Sequence, residues 1–188
     1  MGRWPAGATE RLEQAAMELY QKRGFENTTV AEIAERAGLT ERTFFRHYAD
    51  KREVLFAGSA QLQVLLVSLV IEAAPSLPPI EAITAALAGA AAAFEERRAV
   101  VRQRQAIIAA NPELQERELI KLAKLGAALA SALRQRGVPE PAATLAAEAG
   151  VAVFRVAFDR WSGGSDELLL SEIIRESAGE LRAVTSAG

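Results

Sequence analysis

Residues 28–53 read TTVAEIAERAGLTERTFFRHYADKRE, and this stretch decides the fold. Thr29 and Glu32 are spaced as a capping box that starts one helix, and Thr40 is placed to cap a second helix. Gly38 is expected to end the first helix, because glycine adopts the left-handed conformation after a helix without strain. Two short helices joined by a tight turn have the plan of a helix-turn-helix, whose second helix enters the major groove of DNA.

A third helix is predicted to begin at Asp50, which forms a second possible capping box with Glu53. No proline follows before Pro75, and Gly58 alone is compatible with a helix. The sequence therefore predicts one long helix over residues 50–73, which begins beside the motif and ends inside the part of the chain that follows.

The two faces of the motif differ in composition. Helical spacing buries an apolar set between the two helices: Val30, Ile33, Ala34, Ala37, Leu39, Phe44 and Tyr48. The second helix presents a different set outward: Arg42, Thr43, Phe45, Arg46 and His47. An exposed phenylalanine contributes nothing to a soluble domain unless a partner covers it.

As a joint pattern, the motif resembles the DNA-binding domain of the TetR family of transcriptional repressors. The matching positions are Gly24-Phe25, Thr28-Thr29-Val30, Ile33-Ala34, Ala37-Gly38-Leu39-Thr40, Thr43-Phe44-Phe45, His47-Tyr48, Lys51, Glu53 and Leu55. The sequence departs from the usual family pattern at Arg42, Phe45 and Arg46. These positions are expected to read the DNA sequence, so the departures concern the operator and not the fold.

The resemblance implies an all-α fold of about nine helices in two domains. Residues 1–52 would form a three-helix DNA-binding domain, and residues 53–188 a helical domain for ligand binding and dimerisation. The amphipathic pattern over residues 9–23 supplies the first helix of the DNA-binding domain. No alternation typical of β-strands occurs in the sequence.

The predicted DNA contacts fall into two groups. Arg42, Thr43, Phe45 and Arg46 are expected at base edges or the groove wall, and Thr28, Thr29, Thr40, His47 and Lys51 at phosphates. Structural alternatives remain for several of these residues. Thr29 and Thr40 also serve as helix caps, and Phe45 could instead be partly buried against the first helix.

The composition limits the compartment and the class of partner. The net charge is −2, but residues 42–52 concentrate Arg42, Arg46, Lys51 and Arg52 against Asp50, where phosphates would lie. The chain has no cysteine, which excludes disulfides and thiolate metal sites and fits the cytoplasm. No stretch has the length of a signal-peptide core or of a membrane span, so no membrane partner is expected.

An enzyme and a helical scaffold protein are the alternative functions. The only histidine, His47, belongs to the motif, and no glycine-rich phosphate loop occurs. We therefore predict no catalytic, cofactor or metal site, and a chain that is not an enzyme. A scaffold would use the motif as a protein contact.

In the family, the helices after the first three bind a small molecule, and the last two form a four-helix dimer interface. Here those two helices are predicted over residues 141–161 and 166–184. One helix-turn-helix reads only a half-site, and family members pair two of them about 34 to 36 Å apart, which favours a homodimer. The expected interface comprises Val151, Trp161, Leu169, Ile173, Ile174 and Leu181. Ordinary core packing is the alternative for both apolar faces.

The run Val101-Arg102-Gln103-Arg104-Gln105-Ala106-Ile107-Ile108, with Asn111-Pro112-Glu113-Leu114 and Arg117, resembles a TetR subgroup linked to acyl-coenzyme-A-like ligands, including mycofactocin regulators. An apolar cavity rimmed by arginines suits an anionic amphiphile. The predicted effector pocket comprises Phe94, Arg102, Arg104, Ile107, Ile108, Arg117, Phe154 and Phe158. The alternative is that Arg102 and Arg104 are surface residues paired with glutamates.

These features predict a ligand-responsive transcriptional regulator that binds a palindromic operator as a dimer. The family resemblance favours repression, while activation stays open. In the predicted switch, effector binding tilts the 50–73 helix, so that the two recognition helices no longer match the operator. Coupling of this kind is typically worth about 1 to 3 kcal/mol.

Overall fold

The computed structural model describes residues 7–164 and 168–186. These residues form helices and connecting loops, with no strand among them, which confirms the all-α prediction. The helices are α1 (Ala8–Arg23), α2 (Val30–Arg36), α3 (Glu41–His47), α4 (Lys51–Leu55), α5 (Ser59–Glu72), α6 (Pro79–Ala90), α7 (Ala92–Glu95), α8 (Arg98–Ala109), α9 (Pro112–Gln135), α10 (Ala142–Gly163) and α11 (Leu170–Ser186). Asp166, the predicted start of the last helix, lies outside the described residues.

The chain divides into two compact units. The first unit contains the described residues up to Gly58 together with Gln103–Glu118, and the second contains Ser59–Arg102 with the described residues from Leu119 onward. The predicted boundary at residue 52 therefore falls inside α4, and a segment assigned to the C-terminal domain belongs to the first unit. The reason is packing, because Ile108 and Leu114 are buried in the hydrophobic core of that unit.

The helix-turn-helix of the first unit starts where the sequence predicts. Thr29 Oγ1 accepts from the Glu32 amide at 3.2 Å, and the Glu32 carboxylate accepts from the Thr29 amide at 2.9 Å, which completes the capping box. Thr40 Oγ1 caps α3 by accepting from the Thr43 amide at 3.2 Å. The predicted apolar set is buried or half-buried, and Phe44 has no exposed surface.

The predicted 50–73 helix is wrong, because two separate helices occupy this stretch. Asp50 caps α4 as expected, but α4 ends at Leu55 and α5 begins only at Ser59. Gly58 lies between them at φ +82°, a left-handed conformation that glycine tolerates and that ends regular helical geometry. A second break separates α6 from α7, so eleven helices are described where about nine were predicted.

The second unit is built around α6. This helix packs against α5, α10 and α11, and α10 also packs against α11. Gly150 of α10 permits a close approach to α6, since a Cβ atom there would lie 2.5 Å from Ile83 Cγ2. The second unit thus has its own hydrophobic core, with Trp161, Ile83 and Ile174 among its fully buried side chains. Within the described ranges, every helix is too short or too polar to span a bilayer.

Candidate nucleic-acid interface

Helix α3 is anchored by one buried ring and presents its opposite face to solvent. Phe44 is fully buried, and Arg42 and Arg46 each lie two residues from it, which places them about 160° away around the helix axis. Thr43 and Phe45 occupy the flanks of this outward face. A shallow surface depression is lined by Arg42, Thr43, Phe45 and Arg46. Helical geometry alone therefore gathers two cations, a hydroxyl and an aromatic ring on one surface.

Phe45 is 55% exposed. Its ring packs against that of Phe44 in the core, with the ring centroids 5.6 Å apart and the ring planes at 82°. Phe45 is therefore not buried against the first helix, which was the alternative for this residue. An exposed aromatic ring beside two cations is a surface that gains free energy when a partner covers it.

The guanidinium groups of Arg42 and Arg46 have no hydrogen-bond or ion-pair partner within residues 7–164 and 168–186. Other exposed arginines of the first unit are paired: Arg23 with Glu32 at 2.6 Å, Arg36 with Glu18 at 2.5 Å and Arg52 with Asp50 at 2.6 Å. The donors on the outward face of α3 are therefore available for an external acceptor such as a phosphate or a base edge.

Two of the predicted phosphate contacts have internal partners in the structure. Thr28 is buried, and its hydroxyl donates to the Gly24 carbonyl at 2.9 Å. Lys51 Nζ donates to three carbonyl oxygens, those of Phe25 at 2.8 Å, Glu26 at 3.2 Å and Thr28 at 2.9 Å. Three N–H donors are all that an ammonium group has, so Lys51 holds the loop between α1 and α2 together.

The other predicted phosphate contacts lie at the surface of the first unit. Thr29 and Thr40 are exposed and serve as the caps described above, while His47 is exposed, with its Nδ1 atom 3.3 Å from Thr9 Oγ1. The carboxyl end of α3 is fixed to α1 by Tyr48, whose hydroxyl donates to the Glu13 carboxylate at 3.0 Å. Burial is the main cause that raises the pKa of Tyr48, so this donor keeps its proton.

Residues 103–118 complete the first unit beneath α4. The Arg104 guanidinium donates to the Leu55 carbonyl at the end of α4 and lies 5.0 Å from the centre of the Phe56 ring. Burial lowers the pKa of Arg104, which remains a cation at any ordinary pH. Arg117 Nε donates to the Glu53 carboxylate at 2.5 Å. These contacts were not foreseen from the sequence, because they join residues about fifty or more positions apart.

Comparison with known proteins places this chain in a family. Residues 13–57 match the family model for bacterial regulatory proteins of the tetR family, and residues 77–186, more than half of the chain, match the model for the MftR C-terminal domain. The chain belongs to the TetR family of transcriptional regulators. Its helix-turn-helix is therefore a DNA-binding motif, and family membership disfavours the enzyme alternative.

Among similar proteins, the transcriptional regulator TcmR of Streptomyces glaucescens is 49% identical over 45 residues, which are 24% of this chain and 20% of TcmR. The mycofactocin regulator MftR of Mycobacterium tuberculosis is 30% identical over 116 residues, 61% of this chain and 58% of MftR. The chain thus matches less than two thirds of either relative. The crystal structure of Thermus thermophilus FadR, a TetR family repressor in complex with lauroyl-CoA, has a TM-score of 0.56, with 24% identity and 92% of each chain covered, and shows the same fold.

In this TetR family member, the predicted effector residues are divided between the two units. Arg104, Ile107, Ile108 and Arg117 belong to the first unit, while Phe94, Arg102, Phe154 and Phe158 belong to the second. The three phenylalanines contact one another, with ring centroids 5.4 to 6.1 Å apart, and Phe158 continues to Trp161 at 5.7 Å. The second unit therefore contains the predicted phenylalanines as one aromatic cluster, but of the three predicted arginines it contains only Arg102.

The arginines of α8 hold backbone carbonyls. Arg102 donates to the carbonyls of Ser162, at 2.8 Å, and Gly164. Arg98 lies 4.8 Å over the Trp161 ring and donates to the carbonyl of that residue at 2.7 Å. Both arginines satisfy acceptors at the carboxyl end of α10, which have no partners inside the helix. These carbonyl bonds were not predicted, and the anion-rim role of Arg102 and its glutamate-pair alternative stay predictions.

The predicted dimer residues are mostly internal to the second unit. Trp161, Ile173 and Ile174 are fully buried, Val151 and Leu181 are half-buried, and Leu169 is exposed. A different apolar stripe reaches the surface of α10. It comprises Leu145 at 65% exposure, half-buried Ala149, exposed Ala152 and Val156 at 45% exposure. The spacing of four, three and four residues places these side chains on one helix face.

Proposed function

We propose that this protein represses transcription by binding a palindromic DNA operator as a homodimer, and that a small-molecule effector releases it. TetR family regulators are ligand-responsive DNA-binding repressors, and the proposal applies that behaviour to this chain. The observation that carries it is the outward face of α3, where Phe45 is exposed and where Arg42 and Arg46 have no partner among the described residues. Such a regulator would act in the cytoplasm, where the chromosome of a bacterium lies.

The DNA-binding step is tested by selecting duplexes from a randomised library with the full-length protein. We expect a palindromic sequence to be enriched and its affinity to fall as salt rises, because neutralised phosphates release their counterions. Lack of any enriched sequence at low salt would contradict the proposal. It would favour the scaffold alternative, in which the same face of α3 contacts a protein.

A second copy of the chain is the proposed partner of the apolar stripe on α10. Leu145 and Val156 are large exposed side chains, and the alanines between them would let two copies of α10 approach closely. In a two-fold symmetric dimer, the stripe of one copy packs against the same stripe of the other copy. A charge introduced into the stripe therefore lies close to the identical charge of the second copy, and the two charges repel each other. We propose this stripe in place of the mostly buried set that the sequence indicated.

The dimer is tested with Val156→Glu and a matched control. Val64→Glu places the same charge at an exposed valine on α5, away from the stripe. We expect sedimentation equilibrium to show a weakened dimer for Val156→Glu and an unchanged one for Val64→Glu. Equal behaviour of both variants, with the dimer intact, would remove α10 from the interface.

For the effector, we propose an anionic amphiphile, with its apolar part against the Phe94, Phe154 and Phe158 cluster. Phe94 and Phe154 are half-buried, so an apolar ligand would cover surface that is now partly exposed. The lauroyl-CoA bound to Thermus thermophilus FadR motivates the acyl-CoA-like class. Adding lauroyl-CoA should release the protein from its selected operator, whereas coenzyme A alone should not. Release by neither compound, with an unrelated molecule copurifying by mass spectrometry, would contradict the acyl class.

A further inference from the structure

The outward face of α3 carries chemistry that matches particular base pairs. Its central positions hold two guanidinium groups that have no partner in the described part of the chain, and one flank holds an exposed aromatic residue. We propose that each operator half-site contains two G·C base pairs, read by Arg42 and Arg46, and an A·T pair whose thymine methyl group packs against Phe45. This inference rests on the proposed DNA-binding function and specifies what its recognition helix reads.

The assignment to guanines follows from where the arginines lie on the helix. Arg42 and Arg46 are almost diametrically opposite the buried Phe44 ring, at about 160° on either side. When a helix lies in the major groove, its outermost side chains reach the floor of the groove, whereas phosphates line the walls. A guanidinium fork there donates two hydrogen bonds to O6 and N7 of guanine, the commonest specific contact of arginine with DNA.

The spacing of the two arginines limits the spacing of the two guanines. Residues four positions apart are separated by about 6 Å along a helix axis. Successive base pairs are separated by about 3.4 Å along one strand. The two guanines are therefore on neighbouring base pairs or have a single base pair between them.

Phe45 selects a different feature of the groove. Its ring is apolar and cannot satisfy a phosphate or a hydrogen-bonding base edge. The apolar group that base pairs present in the major groove is the C5-methyl of thymine. Phe45 lies next to Arg46 in sequence, so the thymine is expected beside the guanine that Arg46 contacts. Thr43 lies on the opposite flank, where its hydroxyl is 3.0 Å from that of Thr40, and we assign it no base pair.

The experiment compares sequence preferences of full-length variants selected on one randomised duplex library. Arg42→Ala and Arg46→Ala should each relax the preference at one G·C pair by about 5- to 150-fold, the range of a bidentate contact. Arg36→Ala is the control, because that exposed arginine is held by Glu18 at 2.5 Å, and it should leave every preference unchanged. Circular dichroism of each variant checks that the surface substitutions leave the fold intact.

Modified duplexes then test the individual atoms. Replacing each proposed guanine by 7-deazaguanine removes N7 and should weaken wild-type binding, but not binding by the variant that lacks the matching arginine. Replacing thymine by deoxyuridine removes only the methyl group and should cost the wild type about 4-fold. Phe45→Ala should bind the two duplexes equally.

Two results would overturn the assignment while leaving DNA binding in place. One is an enriched half-site without two G·C pairs at the stated spacing. The other is an equal loss of affinity for every sequence in the arginine variants, with the salt dependence reduced by about one phosphate contact each, which would make the arginines phosphate ligands. Failure of the proposed function looks different, because the wild type would then enrich no sequence at all.

Discussion

Helices α3 and α8 carry arginine pairs at the same spacing but in opposite surroundings. Arg42 and Arg46 of α3 are four residues apart and have no partner within the described part of the chain. Arg98 and Arg102 of α8 are also four residues apart, and both donate to carbonyls at the carboxyl end of α10. Spacing and residue type are therefore not enough to identify a binding surface. What decides is whether the fold brings an acceptor within reach of the guanidinium group.

The largest effect is expected in the buried part of α8, where a core side chain lies a few residues from these arginines. Ile108→Ala removes a buried side chain from the first unit and should lower the free energy of unfolding by about 2 to 5 kcal/mol, through lost burial and the cavity left behind. Urea unfolding measures this loss of stability. Ile107→Ala is the control at the half-buried neighbour and should cost distinctly less. Equal small losses would mean that residues 103–118 are not part of that core.

Arg102→Ala tests the arginine pair of α8, which donates to backbone carbonyls of the same chain. It removes charged donors from the carbonyls of Ser162 and Gly164, and a hydrogen bond to a charged group is worth about 1.5 to 3 kcal/mol. We expect a loss of stability of about that size in thermal unfolding, with operator affinity per folded molecule unchanged. A stable variant that instead lost its response to an anionic effector would support the predicted anion-rim role.

Arg46→Ala tests the arginine pair of α3. It should lower operator affinity and leave stability unchanged, the opposite of Arg102→Ala. We expect operator binding to weaken by about 1 to 3 kcal/mol, because a base contact or a phosphate contact is lost. The melting temperature and the dimer should stay unchanged, since no internal partner of Arg46 is described. Fluorescence anisotropy and sedimentation give the two measurements. A monomeric product would show that α3 contributes to assembly and would count against the DNA-binding assignment.

The sequence predicted what depends on neighbours along the chain. Thr29, Thr40 and Asp50 cap their helices because a capping bond spans only two or three residues, and Phe44 is buried as its helical period requires. The all-helical class and the recognition helix followed from such local features. Gly58 shows the limit, because the same glycine is compatible with a helix interior or a helix end, and the left-handed φ that decides between them depends on the rest of the unit.

The sequence contains no sign of contacts whose partner lies far along the chain. Arg102 meets a carbonyl sixty residues away, and Thr28 is covered by the packed loop that Lys51 holds. On α10 the apolar residues lie all round the helix, so periodicity could not separate buried Trp161 from exposed Leu145. Only the packing of α6 and α11 against α10 makes that separation.

The smallest effect is expected at an arginine that is paired on the surface. Arg52 Nη2 lies 2.6 Å from the Asp50 carboxylate, which also caps α4, and the Arg52 side chain is the main cause that holds the pKa of Asp50 below its usual value. A lowered folded-state pKa stabilises the fold fully above the pKa of an unfolded aspartate, about 3.9. That contribution is lost as the pH falls through the lower folded value.

Because both groups are more than a third exposed, this stabilisation should stay below about 1 kcal/mol. Asp50→Asn keeps a capping side chain but cannot titrate, so its unfolding free energy should fall less than that of the wild type between pH 5 and pH 3, a range set by the aspartate value of about 3.9. Urea titrations at a series of pH values measure the difference. Parallel curves for the two proteins would show that the pair contributes nothing, and that a paired surface arginine is energetically equivalent to a free one.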